Sequence, residues 1–193
     1  MFLLPDEYWF VKKTKNKGNG VFARKKIVAG TIIGDYLGTI VKTSTYDLSK
    51  DTKGLYLTYF TDQASIYPDL KTEGMHLVNH SCQPNCWIYI YRGHTLFFAL
   101  RDIDVGEELT ISYLLSPKDD TCKPCTHVCH CSSVYCKGTM HLTKEKYEKW
   151  QRFLKIEKKK TRIAPFTFGK NLKRLREYPK IHVTHPIYKA LCS

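Results

Sequence analysis

The sequence predicts a mainly β fold of several small sheets, followed by a cysteine-rich loop and C-terminal helices, and three observations predict it. Short β-rich runs punctuated by glycine fill the chain up to Tyr113. Cys122 to Cys136 has no hydrophobic periodicity, so something other than a core must order it. Beyond Thr143 the apolar residues recur at helical spacing.

Taken in order, Val21-Phe22-Ala23, Thr31 to Leu37 and Thr39-Ile40-Val41 are β-rich, and Gly18, Gly20, Gly30, Gly34 and Gly38 supply tight turns. The polar stretch Lys42 to Gly54 holds a short helix or a loop at Ser44 to Lys53. It precedes a strand at Leu55 to Phe60 and a loop around Pro68-Asp69. Trp87 to Tyr91 and Thr95 to Leu100 flank Arg92-Gly93-His94 as the arms of a hairpin, and Leu109 to Tyr113 is a further strand. Thr143 is placed to cap a helix whose Tyr147, Trp150 and Leu154 share one face and which Lys158-Lys159-Lys160 ends. A shorter helical segment is expected from Leu172 to Tyr178, stopped by Pro179.

A chain of 193 residues suffices for one compact domain and an appendage too short to be a second. Its 42% hydrophobic and 13% aromatic content excludes disordered and fibrous classes. Met1 to Glu7 lacks a basic leader and no run approaches a membrane span, so a cytoplasmic or nuclear location and no membrane contact are expected. In a reducing compartment, eight cysteines point to metal binding rather than disulfides. Of the net +13, residues 144–193 carry +11, from 15 Lys/Arg against 4 Asp/Glu. Such an arm suits nucleic acid or a nucleosome; the alternative is a solvated charged face, and the sequence weighs the two equally.

Cys129, Cys131 and Cys136 form a C-x-C-x4-C arrangement able to occupy three corners of a tetrahedral zinc site. Cys122, Cys125, His127 and His130 are candidates for the fourth corner by proximity, and Cys82 is one if the chain folds back. The His pair of a classical zinc finger is absent, since His141 stands alone at the required distance.

Five separated segments resemble the SET-domain protein-lysine methyltransferases with a post-SET zinc motif. Lys17-Gly18-Asn19-Gly20 resembles the first G-x-G motif, and Tyr36-Leu37-Gly38 the Y-x-G. Asn79-His80-Ser81-Cys82-Gln83-Pro84-Asn85-Cys86 is close to N-H-S-C-x-P-N-C, and Gly106 to Tyr113 to G-E-E-L-T-x-x-Y. The cysteine triplet with Lys137-Gly138 is similar to the post-SET motif. Together the five are highly specific.

The resemblance implies a SET fold in which the N-H-S-C and E-L-T-x-x-Y segments meet in a knot-like crossing. It implies a SET domain at 1–116, a post-SET segment at 117–142 and a basic helical extension at 143–193. S-adenosylmethionine is the implied methyl donor, leaving as S-adenosylhomocysteine. Backbone atoms of Lys17, Gly18 and Asn19 are implied at its methionine end, with Asn79 hydrogen-bonding near the reacting end, His80 making backbone contacts to the adenine and Tyr56 a further cofactor contact. Tyr113 is implied as the catalytic tyrosine, with Tyr36 lining the lysine channel. Cys82 joins Cys129, Cys131 and Cys136 on one zinc. Cys122 and Cys125 are then left to line the loop as free thiols, to join a second site, or to displace one of the four. Asn19 replaces a bulky aromatic common in the family, and His76 an arginine. Ile111 stands where relatives carry Phe or Tyr, which favours di- or trimethylation.

The implied reaction needs a neutral amine, and deprotonating lysine at pH 7 costs roughly 4 to 5 kcal/mol for a pKa near 10.4. An apolar channel and a nearby sulfonium both lower that pKa, so no strong base is required. Tyrosine hydroxyls and backbone carbonyls then act by positioning. The expected partner is a protein presenting a target lysine, such as a histone or another nucleic-acid-associated basic protein, and the enzyme is expected to be a monomer. The competing reading is a non-catalytic SET-like zinc module that binds nucleic acid or chromatin.

Overall fold

The computed structural model describes residues 1–46, 55–120, 122–160 and 162–181. Most of the Ser44 to Lys53 stretch, and Cys192, lie outside the described residues. Ten short strands form four small sheets: β1 (Trp9–Lys13), β2 (Asn19–Ala23), β3 (Ile32–Asp35), β4 (Thr39–Lys42), β5 (Thr58–Tyr59), β6 (Ala64–Tyr67), β7 (Asn79–His80), β8 (Cys86–Tyr91), β9 (His94–Ala99) and β10 (Thr110–Ile111). Among the described residues one α-helix, α1 (Lys144–Lys160), follows.

β1 and β2 make an antiparallel hairpin, and β4-β6-β5 and β3-β9-β8 are three-stranded antiparallel sheets. β8 and β9 turn on Arg92 and Gly93, with φ of 52° and 84°. Two consecutive left-handed residues match the right-handed twist of the flanking strands. β7 and β10, far apart in sequence, pair in parallel, with Thr110 opposite Asn79 and Ile111 opposite His80. Val21, Ile27, Ile33, Ile66, Met75, Phe97, Ile103 and Leu109 fill the interior between the sheets.

α1 begins as expected, with Thr143 Oγ1 accepting the Lys146 N–H at 3.4 Å. Trp150 packs edge-on against Trp87 of β8, and Phe153 and Ile181 close over Phe98. Residues 171–178 are not helical, contrary to the sequence expectation. Gly169 donates to Ile40 O, Leu172 donates to Gly38 O, and Lys170 O accepts the Ile40 N–H. The chain therefore lies as a strap along β4, because pairing with an open sheet edge satisfies backbone groups that an isolated short helix would leave exposed. Three strands, β1, β6 and the two-residue β7, are not among those the sequence predicts. β6 is short and central, with Ala64, Ser65 and Ile66 all buried, so it lacks the alternation of a half-exposed strand.

Candidate active site and metal clusters

The parallel pairing of β7 with β10 builds the site. Asn79 and His80 are both buried, and Ser81 donates to Ile111 O at 2.9 Å. Just past β10, the Tyr113 N–H donates to His80 Nδ1 at 3.2 Å, and the hydroxyl of the partly buried Tyr113 donates to Val78 O at 3.4 Å. Burial pushes the Tyr113 phenol above its usual range, so it is protonated and available as a donor. Burial, aided by the Lys17 charge, lowers His80 to about 4, which keeps its imidazole neutral at pH 7. With Nδ1 accepting from Tyr113, the His80 proton sits on Nε2, which faces Cys82 Sγ at 3.6 Å.

The glycine loop between β1 and β2 closes over this pair. Gly18 adopts φ 74°, and a Cβ there would meet no atom within 4 Å, so the loop presents bare backbone to open space. Gly20 is required for a different reason, since a Cβ would lie 2.7 Å from Glu108 Oε1 and 2.9 Å from Asn79 Nδ2. The Asn79 carboxamide donates to Asn19 O at 3.0 Å and to Glu108 Oε1 at 2.9 Å. Glu108 Oε2 in turn pairs with the Lys17 ammonium. Lys17 and Asn79 are thus tied together, with the Asn19 carbonyl beside them, by one acidic residue, Glu108, that the sequence patterns did not single out. Its signal was available: it is the second acid of the Gly106-Glu107-Glu108-Leu109 segment.

Tyr36 is buried and donates to Tyr56 O at 2.7 Å, which joins these two residues to each other. Tyr56 also raises the Tyr113 phenol electrostatically, as a second cause after burial, which places the two tyrosines near one another. Gly38 behind them has no room for a side chain, because a Cβ would be 2.1 Å from Tyr67 O. Asn85 ties the far end together. Its Oδ1 accepts the Thr110 N–H at 2.8 Å, and its Nδ2 donates to Glu108 O at 2.8 Å.

The cysteines converge in two groups. The sulfurs of Cys82, Cys129, Cys131 and Cys136 all lie within 4.8 Å of one another, with Cys82 to Cys129 at 3.7 Å. Four thiols at that spacing suit a tetrahedral thiophilic metal, whose sulfur-to-sulfur edge is about 3.8 Å for bonds of about 2.3 Å. Cys122 and Cys125 instead meet His127 and His141, again within 4.8 Å. His127 therefore leaves the candidates for the first cluster, and the exposed His130 is in neither. Cys86 is fully buried, and burial pushes its thiol far above the usual range, which suits a core residue.

Residues 18–114 match the SET domain family. Histone-lysine N-methyltransferase trithorax of Drosophila virilis is 29% identical over 140 residues, covering 68% of this chain and 4% of the relative. Histone-lysine N-methyltransferase TRX1 of Oryza sativa subsp. japonica is 29% identical over 140 residues, covering 67% and 13%. Histone-lysine N-methyltransferase 2B of Homo sapiens is 30% identical over 129 residues, covering 62% and 5%. The small sheets, the parallel β7-β10 pairing and this match make the chain a member of the SET-domain family. It spans only a small part of the length of these relatives.

Proposed function

We propose that the protein is a protein-lysine N-methyltransferase that uses S-adenosylmethionine and acts on histones or other basic, nucleic-acid-associated proteins. The observation that carries the reading is the convergence of the Lys17 to Gly20 loop, Asn79-His80 and Tyr113 on one strand crossing. The names of the relatives support the activity and the substrate class, and a histone substrate favours the nuclear over the cytoplasmic location.

When bound, the donor supplies an electrophilic methyl group on a positively charged sulfur. The residues present suit it. Bare backbone at Gly18 admits a ligand against the main chain, while the Lys17 ammonium offers a donor and Asn79 Oδ1 an acceptor, both side chains held in place by Glu108. Tyr36 and Tyr113 line the path of the incoming amine, where desolvation favours its neutral form. The protonated Tyr113 hydroxyl and the carbonyls around it orient the amine and fix the reaction axis, so catalysis proceeds by positioning and preorganised dipoles without a strong base. Ile111 is buried beneath the site and carries no hydroxyl to restrain a methylated amine, which favours di- or trimethylation.

Cys82, Cys129, Cys131 and Cys136 hold a structural zinc that ties the 117–142 loop to the β7 segment, as a post-SET unit behind a SET domain at 1–116. Through His80 Nε2 the same sulfur reaches the Tyr113 backbone, which couples the metal clamp to the catalytic tyrosine.

The test combines calorimetry with S-adenosylhomocysteine and transfer of labelled methyl groups to histones, nucleosomes and a cell lysate. Micromolar affinity is expected, with transfer lost in Tyr113→Phe while product affinity is retained. A zinc-loaded chain with no affinity for the product would instead support the non-catalytic binding module.

A further inference from the structure

We propose that Cys122, Cys125, His127 and His141 form a second zinc site, a closed structural Cys2His2 centre separate from the four-cysteine cluster. Zinc binds thiolate sulfur at about 2.3 Å and imidazole nitrogen at about 2.0 to 2.1 Å in a tetrahedron. The edges of such a tetrahedron are about 3.6 Å from sulfur to nitrogen and about 3.3 Å from nitrogen to nitrogen. Cys122 Sγ lies 3.5 Å from His127 Nδ1 and 3.5 Å from His141 Nε2. Cys125 Sγ lies 3.5 Å from His141 Nε2 and 3.9 Å from His127 Nδ1, and the two nitrogens are 3.2 Å apart. Every one of these five separations falls near the edge expected for its atom pair.

The tautomer of His141 fits a ligand. Its Nδ1 donates to Ser116 O at 2.6 Å, so the neutral ring turns the bare lone pair of Nε2 toward the two sulfurs and His127. A carbonyl partner on the outer nitrogen is the usual companion of a metal-bound histidine. His141 is buried, and the stretch 122–127 that brings the other three ligands has no strand or helix of its own. Four side chains from such a loop converge at bonding distance when an ion repays the ordering of the backbone. Zinc entry releases the two thiol protons to solvent and leaves all four positions filled by protein, so the centre is structural.

The position of the site gives it a task. His141 forms a parallel bridge with Leu115, and Leu142 donates to Leu115 O at 3.0 Å. Leu115 leads directly out of Tyr113. The second zinc therefore fastens the exit of the segment that carries Tyr113 to the start of α1, while the four-cysteine cluster fastens the same loop to β7. The 117–142 loop is clamped at two points, one for each segment of the strand crossing.

The test is metal stoichiometry on the full chain, by native mass spectrometry and elemental analysis after zinc saturation, with zinc X-ray absorption to identify the ligand shell. Two zinc ions per chain are expected, with an average shell of three sulfurs and one nitrogen. Cys125→Ser and His141→Ala should each lose one ion and leave an all-sulfur shell. One ion with an all-sulfur shell in the unaltered chain overturns the proposal, and so does retention of both ions in the two variants. One ion with two sulfurs and two nitrogens upholds this site and removes the four-cysteine assignment. Because methyl transfer is not a readout, the outcome is independent of the enzymatic reading, and the count on the unaltered chain decides even if a variant fails to fold.

Discussion

Glu108 is the residue on which the candidate cofactor wall turns. Its two carboxylate oxygens divide between Asn79 Nδ2 and the Lys17 ammonium, and the side chain sits where only a glycine at position 20 leaves room. Removing a charge-assisted partner at a partly buried position costs about 1.5 to 3 kcal/mol. Glu108→Ala should therefore weaken S-adenosylhomocysteine binding at least tenfold by calorimetry, while circular dichroism reports an intact fold. Unchanged affinity would mean that Asn79 and Lys17 need no anchor. The neighbouring acid, Glu107, has a different duty. The Arg101 guanidinium, and then Asn85, hold its carboxyl below the usual range. A depressed folded pKa adds stability above the unfolded value near 4.3, and that stability is lost as pH falls through the folded value. The pair is largely solvent-exposed, so the contribution is at most about 1 kcal/mol. Urea midpoints measured from pH 6 to pH 3 should fall less steeply in Glu107→Gln than in the unaltered chain.

At the scale of elements, the outer face of the β3-β9-β8 sheet depends on pieces from the end of the chain. Leu154 is buried, and Trp150 and Phe153 of α1 pack with Trp87 over Phe98. Leu154→Ala should cost about 2 to 3 kcal/mol through lost burial and a residual cavity, read as a lowered urea midpoint at constant slope. The strap after α1 is anchored more locally. The Tyr178 hydroxyl donates to Asp35 Oδ2 at 3.0 Å, and His94 Nδ1 contacts the same oxygen at 2.7 Å. Asp35 is wholly buried at the end of β3, and its Oδ2 takes both contacts while Oδ1 has no hydrogen-bond partner among the described residues.

For the whole molecule, the uneven charge sets the choice of substrate form. Under the proposed function, a net +13 would repel a free basic peptide at low salt, and the basic arm would draw the enzyme to DNA or RNA on which a basic substrate is already assembled. Replacing the exposed Arg152, Lys155, Arg162, Lys173 and Arg176 with Gln, which keeps the strap in place, should reduce methylation of nucleosomes much more than methylation of a short histone peptide, with the difference shrinking as salt rises. Equal losses on both substrates would assign the arm to folding or to direct contact with the peptide. No helix among the described residues is long and apolar enough to cross a membrane.

The sequence alone determined the mainly β class, the β8-β9 hairpin with its Arg92-Gly93 turn, the Thr143 cap of α1 and the motifs that define the family. These are local: each depends on side chains within a few positions of one another, where periodicity, φ preference and capping act directly. Tertiary structure decided the rest. The strap at 169–172 took its backbone partners from Gly38 and from Ile40 of β4, which a local helical pattern beginning at Leu172 could not anticipate. Glu108 became a hub only when β2 and β7 met across it, and His141, solitary in sequence, found Cys122, Cys125 and His127 only through its bridge to Leu115. Long-range pairing and metal-ligand convergence depend on which distant segments share a surface, and no window of the sequence contains that information.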